Sequence, residues 1–317
     1  MKILFFGTSD FAVPTLLALM QSRYELVGVV TQPDRPRGRG LRPSPSPVKR
    51  VAGGLPVFQP EKVRDRDFIE HVRRLSPDVV VLAAFGQIIP RRLLEIPPMG
   101  PINVHASLLP KYRGAAPIQW ALISGEIETG VTTMWMDEKL DTGDILLQKT
   151  VPIQHEDNSQ SLTERLAKVG ADLLMETLYL LEQGNCPRIS QNHEEATYAP
   201  ILKPEDGYLD WEWKSRMVLN RIRGVTPKPG AYTEIKDRRI KIWRAEAGYE
   251  ENIVVEPGSV LAVERQTVRV ATGDGAVDLV EVQPENGKRM GAGDWSRGAR
   301  IQIGDRFQKL LRSTEEN

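Results

Sequence analysis

Asn103-Val104-His105, with Ser107-Leu108-Leu109-Pro110 close behind, sets a carboxamide and an imidazole two positions apart. If Ile102 to Val104 ends a buried strand, side chains alternate with a period of two, and Asn103 and His105 leave the same face. An amide donor beside an imidazole can meet a developing oxyanion and handle a proton. Asp141 lies in the run Asp141-Thr142-Gly143-Asp144, a turn able to bring a carboxylate to that histidine and fix its tautomer or hold its charge. Taken alone, a histidine at a strand end is more often structural than catalytic. His71, His155 and His193 make no ligand pattern, and no zinc or two-metal spacing occurs, so no metal is expected.

These groups need a scaffold that presents strand ends. Ile3 to Phe6, Leu26 to Val30, Val79 to Ala84 and Ile102 to Val104 are short, nearly uninterrupted apolar runs, as in strands buried on both faces of a parallel sheet. Helical spacing separates them over Phe11 to Met20, Phe68 to Leu75 and Ala116 to Ile123, and Ser161 to Leu181 reads as one long amphipathic helix. Val131 to Met136 and Ile145 to Val151 flank the Asp141 turn as a strand pair near the sheet edge. This alternation predicts an open α/β sheet, in which ligands bind at the carboxyl ends of strands. Gly7-Thr8-Ser9-Asp10 joins the first strand to its helix. It is not a dinucleotide fingerprint, and reads either as an anion site at a helix N-terminus or as a tight turn capped by Ser9 or Asp10.

After Pro200 the texture changes. Helical spacing survives around Ser215 to Arg223. From Ala231 onward short alternating stretches, punctuated by Gly, Asp and Glu, predict a small all-β barrel or sandwich. The expected organisation is a domain over 1–190, a linker over 191–207 and a second domain over 208–317.

The chain has 317 residues, 42 basic and 42 acidic, with 40% apolar and 26% charged residues, which excludes a disordered, collagen-like or coiled-coil protein. A single cysteine, Cys186, leaves no intrachain disulfide and reads as a bystander. No apolar run nears the roughly 18 residues of a membrane span, and the N-terminus lacks a basic n-region and a full apolar h-region. A cytoplasmic chain with no membrane partner is expected, and even charge without an apolar seam points to a monomer. Charge is nevertheless concentrated locally. Asp34 to Arg50 carries Arg35, Arg37, Arg39, Arg42, Lys49 and Arg50 against Asp34 alone, and Lys214 to Arg244 carries ten basic residues against Glu234 and Asp237. Arg35 to Pro47, rich in proline and glycine, reads as a loop long enough to be functional or disordered.

Together the residues carry a resemblance. Ile102 to Pro117 (INVHASLLPKYRGAAP), followed by Leu140 to Ile145 (LDTGDI), resembles the core signature of the 10-formyltetrahydrofolate-dependent formyltransferases. Thr31 to Gly40 (TQPDRPRGRG) and Pro45 to Lys49 (PSPVK) resemble the members that act on aminoacyl-tRNA. The likeness runs over nearly the whole chain, strongest before residue 210. Ala106 stands where Pro often occurs in the family, which weakens the local backbone expectation. The resemblance implies a Rossmann-like formyltransferase domain with a mostly parallel sheet, followed by an OB-like barrel that helps hold tRNA. It implies catalytic roles for Asn103, His105 and Asp141, and folate contacts from Ser107, Leu108, Leu109 and Pro110 and from Phe85, Gly86, Gln87 and Ile88. The co-substrate would be 10-formyltetrahydrofolate and the acceptor the α-amine of initiator methionyl-tRNA, formylated for translation initiation. Arg35, Arg37, Arg39 and Arg42 are then candidates to grip the acceptor end.

Three competing readings remain. A formyltransferase acting on an amino-sugar nucleotide shares the trio, but has no use for a long cationic arm. A formyl hydrolase or a glycinamide ribonucleotide enzyme fits less well, the latter ending near the first domain. A catalytically silent RNA-binding protein would not need Asn103, His105 and Asp141 intact.

Overall fold

The computed structural model describes residues 1–37, 42–249 and 255–308. The chain divides into two compact units. The first holds residues 1–117, 128–152 and 162–200, and the second holds 118–127, 153–161 and the chain from Ile201 onward.

The first unit is built on β1 (Lys2–Gly7), α1 (Ala12–Gln21), β2 (Glu25–Val30), the short strands β3 (Arg35–Arg37) and β4 (Arg42–Ser44), α2 (Pro47–Val51), β5 (Val57–Phe58), α3 (Arg66–Leu75), β6 (Val79–Ala83), α4 (Arg91–Leu94) and β7 (Pro101–His105). After α5 (Pro117–Ser124), most of which belongs to the second unit, come β8 (Glu128–Trp135), β9 (Ile145–Pro152) and α6 (Ser159–Glu182). The sheet order is β5-β2-β1-β6-β7-β8-β9. Strands β5 to β7 in that order pair in parallel, and β8 and β9 add an antiparallel edge. The order reverses direction at β1 and β6, which makes their carboxyl ends the switch point where such sheets take ligands.

Burial explains the apolar runs. Every residue of β6 and β7 is buried, because helices cover both faces. Val104 lies under α6, where a Cβ on Gly170 would come within 2.9 Å of it. On the opposite face Leu4, Phe6, Val80 and Leu82 pack with Val72 of α3 and with Leu93 and Leu94 of α4. Asn103 is registered beside Leu82 and so belongs to that second face.

The expected loop over Arg35 to Pro47 is in part a β-hairpin. β3 and β4 pair antiparallel, with Pro36 opposite Pro43 between the pairs Arg35–Ser44 and Arg37–Arg42. Prolines lack the N–H that a ladder needs, but alternate positions of an antiparallel pair make no ladder bond, so two facing prolines fit there. Ser46 then caps α2 by accepting from the Lys49 N–H at 3.0 Å. At α1 neither Ser9 nor Asp10 caps by side chain. The N-cap position is Phe11, with no side-chain bond.

The second unit carries α7 (Ser215–Val225), then β10 (Ala231–Ile235), β11 (Arg238–Gly248), β12 (Val260–Val263), β13 (Val268–Ala271), β14 (Ala276–Pro284), β15 (Met290–Gly291) and α8 (Ala292–Ala299). Its strands form an antiparallel sheet in the order β10-β11-β14-β13-β12. The two edges are joined by residues 304–308: Val260 donates to the Asp305 carbonyl at 2.8 Å, and Gln308 donates to the Glu234 carbonyl at 2.7 Å. The sheet is thereby closed into a small barrel, which satisfies edges that would otherwise invite pairing. Trp211, Trp295 and Phe307 stack in its core.

Candidate active site

β7 delivers Asn103 and His105 to the carboxyl end of the sheet, beside Met134 and Thr132 of β8. His105 is 6% exposed. Its Nε2 lies 2.9 Å from the Tyr112 carbonyl oxygen, which can only accept, so Nε2 donates. Nδ1 then faces the Asp141 Oδ2 at 3.7 Å. Asn103 is 7% exposed; among the described residues its carboxamide makes no hydrogen bond, and its amide atoms are not sealed from solvent. An amide that still reaches solvent at a strand end is open to donate to a ligand.

Asp141 has φ +51°, in the left-handed region that costs a non-glycine residue energy. Its Oδ2 accepts from the Gly114 N–H at 2.8 Å. The turn closes tightly: a Cβ on Gly143 would fall 1.8 Å from the Trp135 carbonyl oxygen, so only glycine fits. Thr142 donates to Asp137 at 2.7 Å, and Arg188 holds Asp144 at 3.0 Å.

The segment Ser107 to Pro110 is strapped onto the sheet. Thr132 donates its hydroxyl to the Ser107 carbonyl at 2.7 Å, and Gln148 donates to the Leu109 carbonyl at 2.8 Å. Ser107 is itself buried and donates to the Lys111 carbonyl, Leu109 is buried, and Leu108 and Pro110 stay partly accessible. At the switch point, Phe85 is buried while its carbonyl accepts from Thr8 at 2.8 Å and from Gln32 at 3.3 Å. Gly86 has φ +90°, and Ile88 is 85% exposed. Gln87 turns back into the protein, accepting from the Val63 N–H at 3.0 Å. A flat ring system could lie along the Ile88 side of this loop; Gln87 offers its backbone.

Of the cationic candidates, Arg35 is exposed and pairs with Glu61 at 2.9 Å, a surface interaction of little energetic weight. Arg37 and Arg42 are backbone register partners in the hairpin. Arg39 lies outside the described residues. The hairpin base is pinned by Lys49, which donates to Asp34 at 2.8 Å and to Gln59 at 2.7 Å. The Lys49 hydrogen bond, then the one from Gln59, holds the Asp34 carboxyl below the usual carboxylate range. Its contribution is therefore complete above that range and fades only in acid.

Several residues here carried no signal in the sequence. Arg113, 2% exposed, donates to Gln191 Oε1 at 2.7 Å and lies 2.8 Å from His193 Nδ1. Gln191 donates to the carbonyls of Asp141 and Gly143. Trp120 and Trp135 are half-buried, with Arg221 and Arg188 over their rings. Burial pushes the Cys186 thiol up against the opposing pull of Arg188, so it stays protonated and poorly nucleophilic.

Family models described as formyl transferase and as formyl transferase, C-terminal domain, match residues 1–178 and 201–300. The chain belongs to the formyl transferase family. Its relatives include a methionyl-tRNA formyltransferase of Pelotomaculum thermopropionicum, 50% identical over 300 residues that cover 94% of this chain and 96% of that one. Another, from Geotalea daltonii, is 50% identical over 306 residues, 96% of this chain and 97% of its own. Solved structures agree in fold at lower identity. The N-formyltransferase of Helicobacter canadensis, in complex with folinic acid and dTDP-3-aminofucose, gives a TM-score of 0.65 at 18% identity, over 90% of this chain and 100% of that one. HypX of Aquifex aeolicus in complex with tetrahydrofolic acid gives 0.66 at 19% identity, covering 96% of this chain and 48% of that larger one. These two likenesses concern the fold.

Proposed function

We propose that this chain transfers the formyl group of 10-formyltetrahydrofolate to the α-amine of initiator methionyl-tRNA, giving N-formylmethionyl-tRNA for translation initiation. The observation that carries the reaction class is the Asn103 carboxamide, without a hydrogen-bond partner among the described residues, beside the His105–Asp141 pair at one strand end. The acceptor rests on relatives of nearly the same length and about half identical, named methionyl-tRNA formyltransferase.

The amine needs no enzyme nucleophile. A free α-amine titrates near roughly 8, so a useful fraction is neutral at pH 7. The folate supplies a formyl group already activated on nitrogen. As the amine nitrogen bonds to the formyl carbon, Asn103 donates to the oxygen on which charge develops. His105 takes the amine proton at Nδ1, and Asp141 stabilises the resulting imidazolium without itself being protonated. The same proton passes to the departing folate nitrogen as the old C–N bond breaks. Phe85 to Ile88 and Ser107 to Pro110 hold the folate, and Arg35, Arg37, Arg39 and Arg42 hold the acceptor end of the tRNA. The catalytic domain spans 1–190 and the tRNA-contacting domain 208–317, joined over 191–207. The enzyme works as a cytoplasmic monomer.

The test offers the protein 10-formyltetrahydrofolate labelled in the formyl group together with charged initiator tRNA, a dTDP-amino sugar, or water alone. Label is expected on the methionyl-tRNA. Label on the sugar nucleotide, or release as formate without tRNA, contradicts the proposal.

A further inference from the structure

Asp141 is held in an unfavourable backbone conformation, and something must hold it there. The return segment after α6 supplies the restraint. Ile189 pairs with Ile145 at the start of β9, with N–H to carbonyl distances of 2.8 and 2.9 Å. Two residues on, the Gln191 carboxamide, 7% exposed, donates to the Asp141 carbonyl at 2.9 Å and to the Gly143 carbonyl at 2.7 Å. Both amide hydrogens are thus spent on one turn, on either side of Thr142. The amide oxygen is equally engaged, accepting from Arg113 Nη2 at 2.7 Å and Nε at 3.2 Å.

Arg113 is fixed from its own backbone. Its N–H donates to the Thr197 carbonyl at 2.8 Å, and its carbonyl accepts from Ala199 at 2.7 Å. The next residue, Gly114, donates its N–H to the Asp141 carboxylate. One short segment therefore anchors the carboxylate directly and, through Arg113 and Gln191, the backbone that carries it. His105 is tied to that segment as well, through the Tyr112 carbonyl. The separation of His105 and Asp141 is set by this small network.

We propose that Gln191 is a positioning residue for formyl transfer: its carboxamide, anchored by Arg113, fixes the Asp141 turn so that the carboxylate meets the His105 imidazole. The inference rests on the reaction proposed above. Gln191 touches no substrate and acts through Asp141. Displacing a catalytic group by about 1 Å is worth up to about a hundredfold in rate.

The experiment measures kcat and both KM values of the full chain, with 10-formyltetrahydrofolate and charged initiator tRNA, for Gln191→Ala, Asp141→Ala and the double variant. Gln191→Ala is expected to lower kcat about 10- to 100-fold with KM values within about threefold. In the Asp141→Ala background the same substitution is expected to cost nothing further, because the group it positions is gone. Should Gln191→Ala fail to fold, Gln191→Glu keeps the acceptor for Arg113 and loses the donors to the two carbonyls. It is read in the same cycle, with thermal unfolding confirming a native fold. An unchanged kcat in a folded variant, or a loss that recurs in full on Asp141→Ala, overturns this inference while the reaction stands. No transfer by the unsubstituted protein removes the reaction and the inference together.

Discussion

In the mechanism proposed above, Asn103 and His105 contribute different things to the same step. There Asn103 meets charge that exists only as the new bond forms, so its removal is expected to take away transition-state stabilisation of roughly 3 kcal/mol, or about a hundredfold in kcat. His105 handles a proton, and general acid–base groups of this kind contribute on the order of a hundred- to ten-thousandfold. Neither substitution is expected to change folate affinity much, because an interaction made only in the transition state is absent from the ground-state complex. Spacing alone put both side chains on one face of a strand end, where a histidine is more often structural; their catalytic roles come from the resemblance of Ile102 to Pro117 to the formyltransferase signature. Asp141 was legible as a turn carboxylate, through the glycine two positions on, where an added Cβ would have no room beside the Trp135 carbonyl.

At the scale of elements, the β3–β4 hairpin is the feature that proline count concealed. Five prolines from Pro33 to Pro47 read as an irregular loop, whereas Pro36 and Pro43 sit opposite each other and leave the ladder to the flanking pairs. The role proposed for the hairpin is electrostatic. Neutralising Arg37, Arg39 and Arg42 together is expected to raise the tRNA KM about tenfold and to flatten its salt dependence, by close to one logarithmic slope unit for each phosphate left without a cation. The KM for 10-formyltetrahydrofolate should stay unchanged. Steady-state kinetics at several salt concentrations check this, and an unchanged slope leaves the hairpin without a phosphate-binding role. Gln191, by contrast, was illegible. It lies in a stretch with neither helical nor alternating period, and its importance comes from where the chain returns after α6, a long-range placement that no local pattern encodes.

On the scale of the molecule, the change of texture near Pro200 marked a real change of architecture, from a mostly parallel sheet to a closed antiparallel barrel. The packing of the elements refines this: α5 and the start of α6 group with the second unit although they lie early in the chain. Local composition could not show it, since α5 is apolar in either setting. The closing strap of the barrel was equally hidden, because residues 304–308 form isolated bridges and not a strand. Phe307 locks that strap against Trp211 and Trp295. Phe307→Ala is expected to cost about 3–5 kcal/mol by opening a core cavity, read as a lower denaturant midpoint for the barrel, and a change under about 1 kcal/mol would show that the strap is held by its backbone bonds alone. Formyl transfer through Asn103 and His105 is tested most directly by the single-turnover rate to charged initiator tRNA, under saturating 10-formyltetrahydrofolate, for Asn103→Ala and His105→Ala. A fall of at least about a hundredfold is predicted in each with folate affinity retained, whereas a rate near that of the unsubstituted protein in either variant contradicts the assignment.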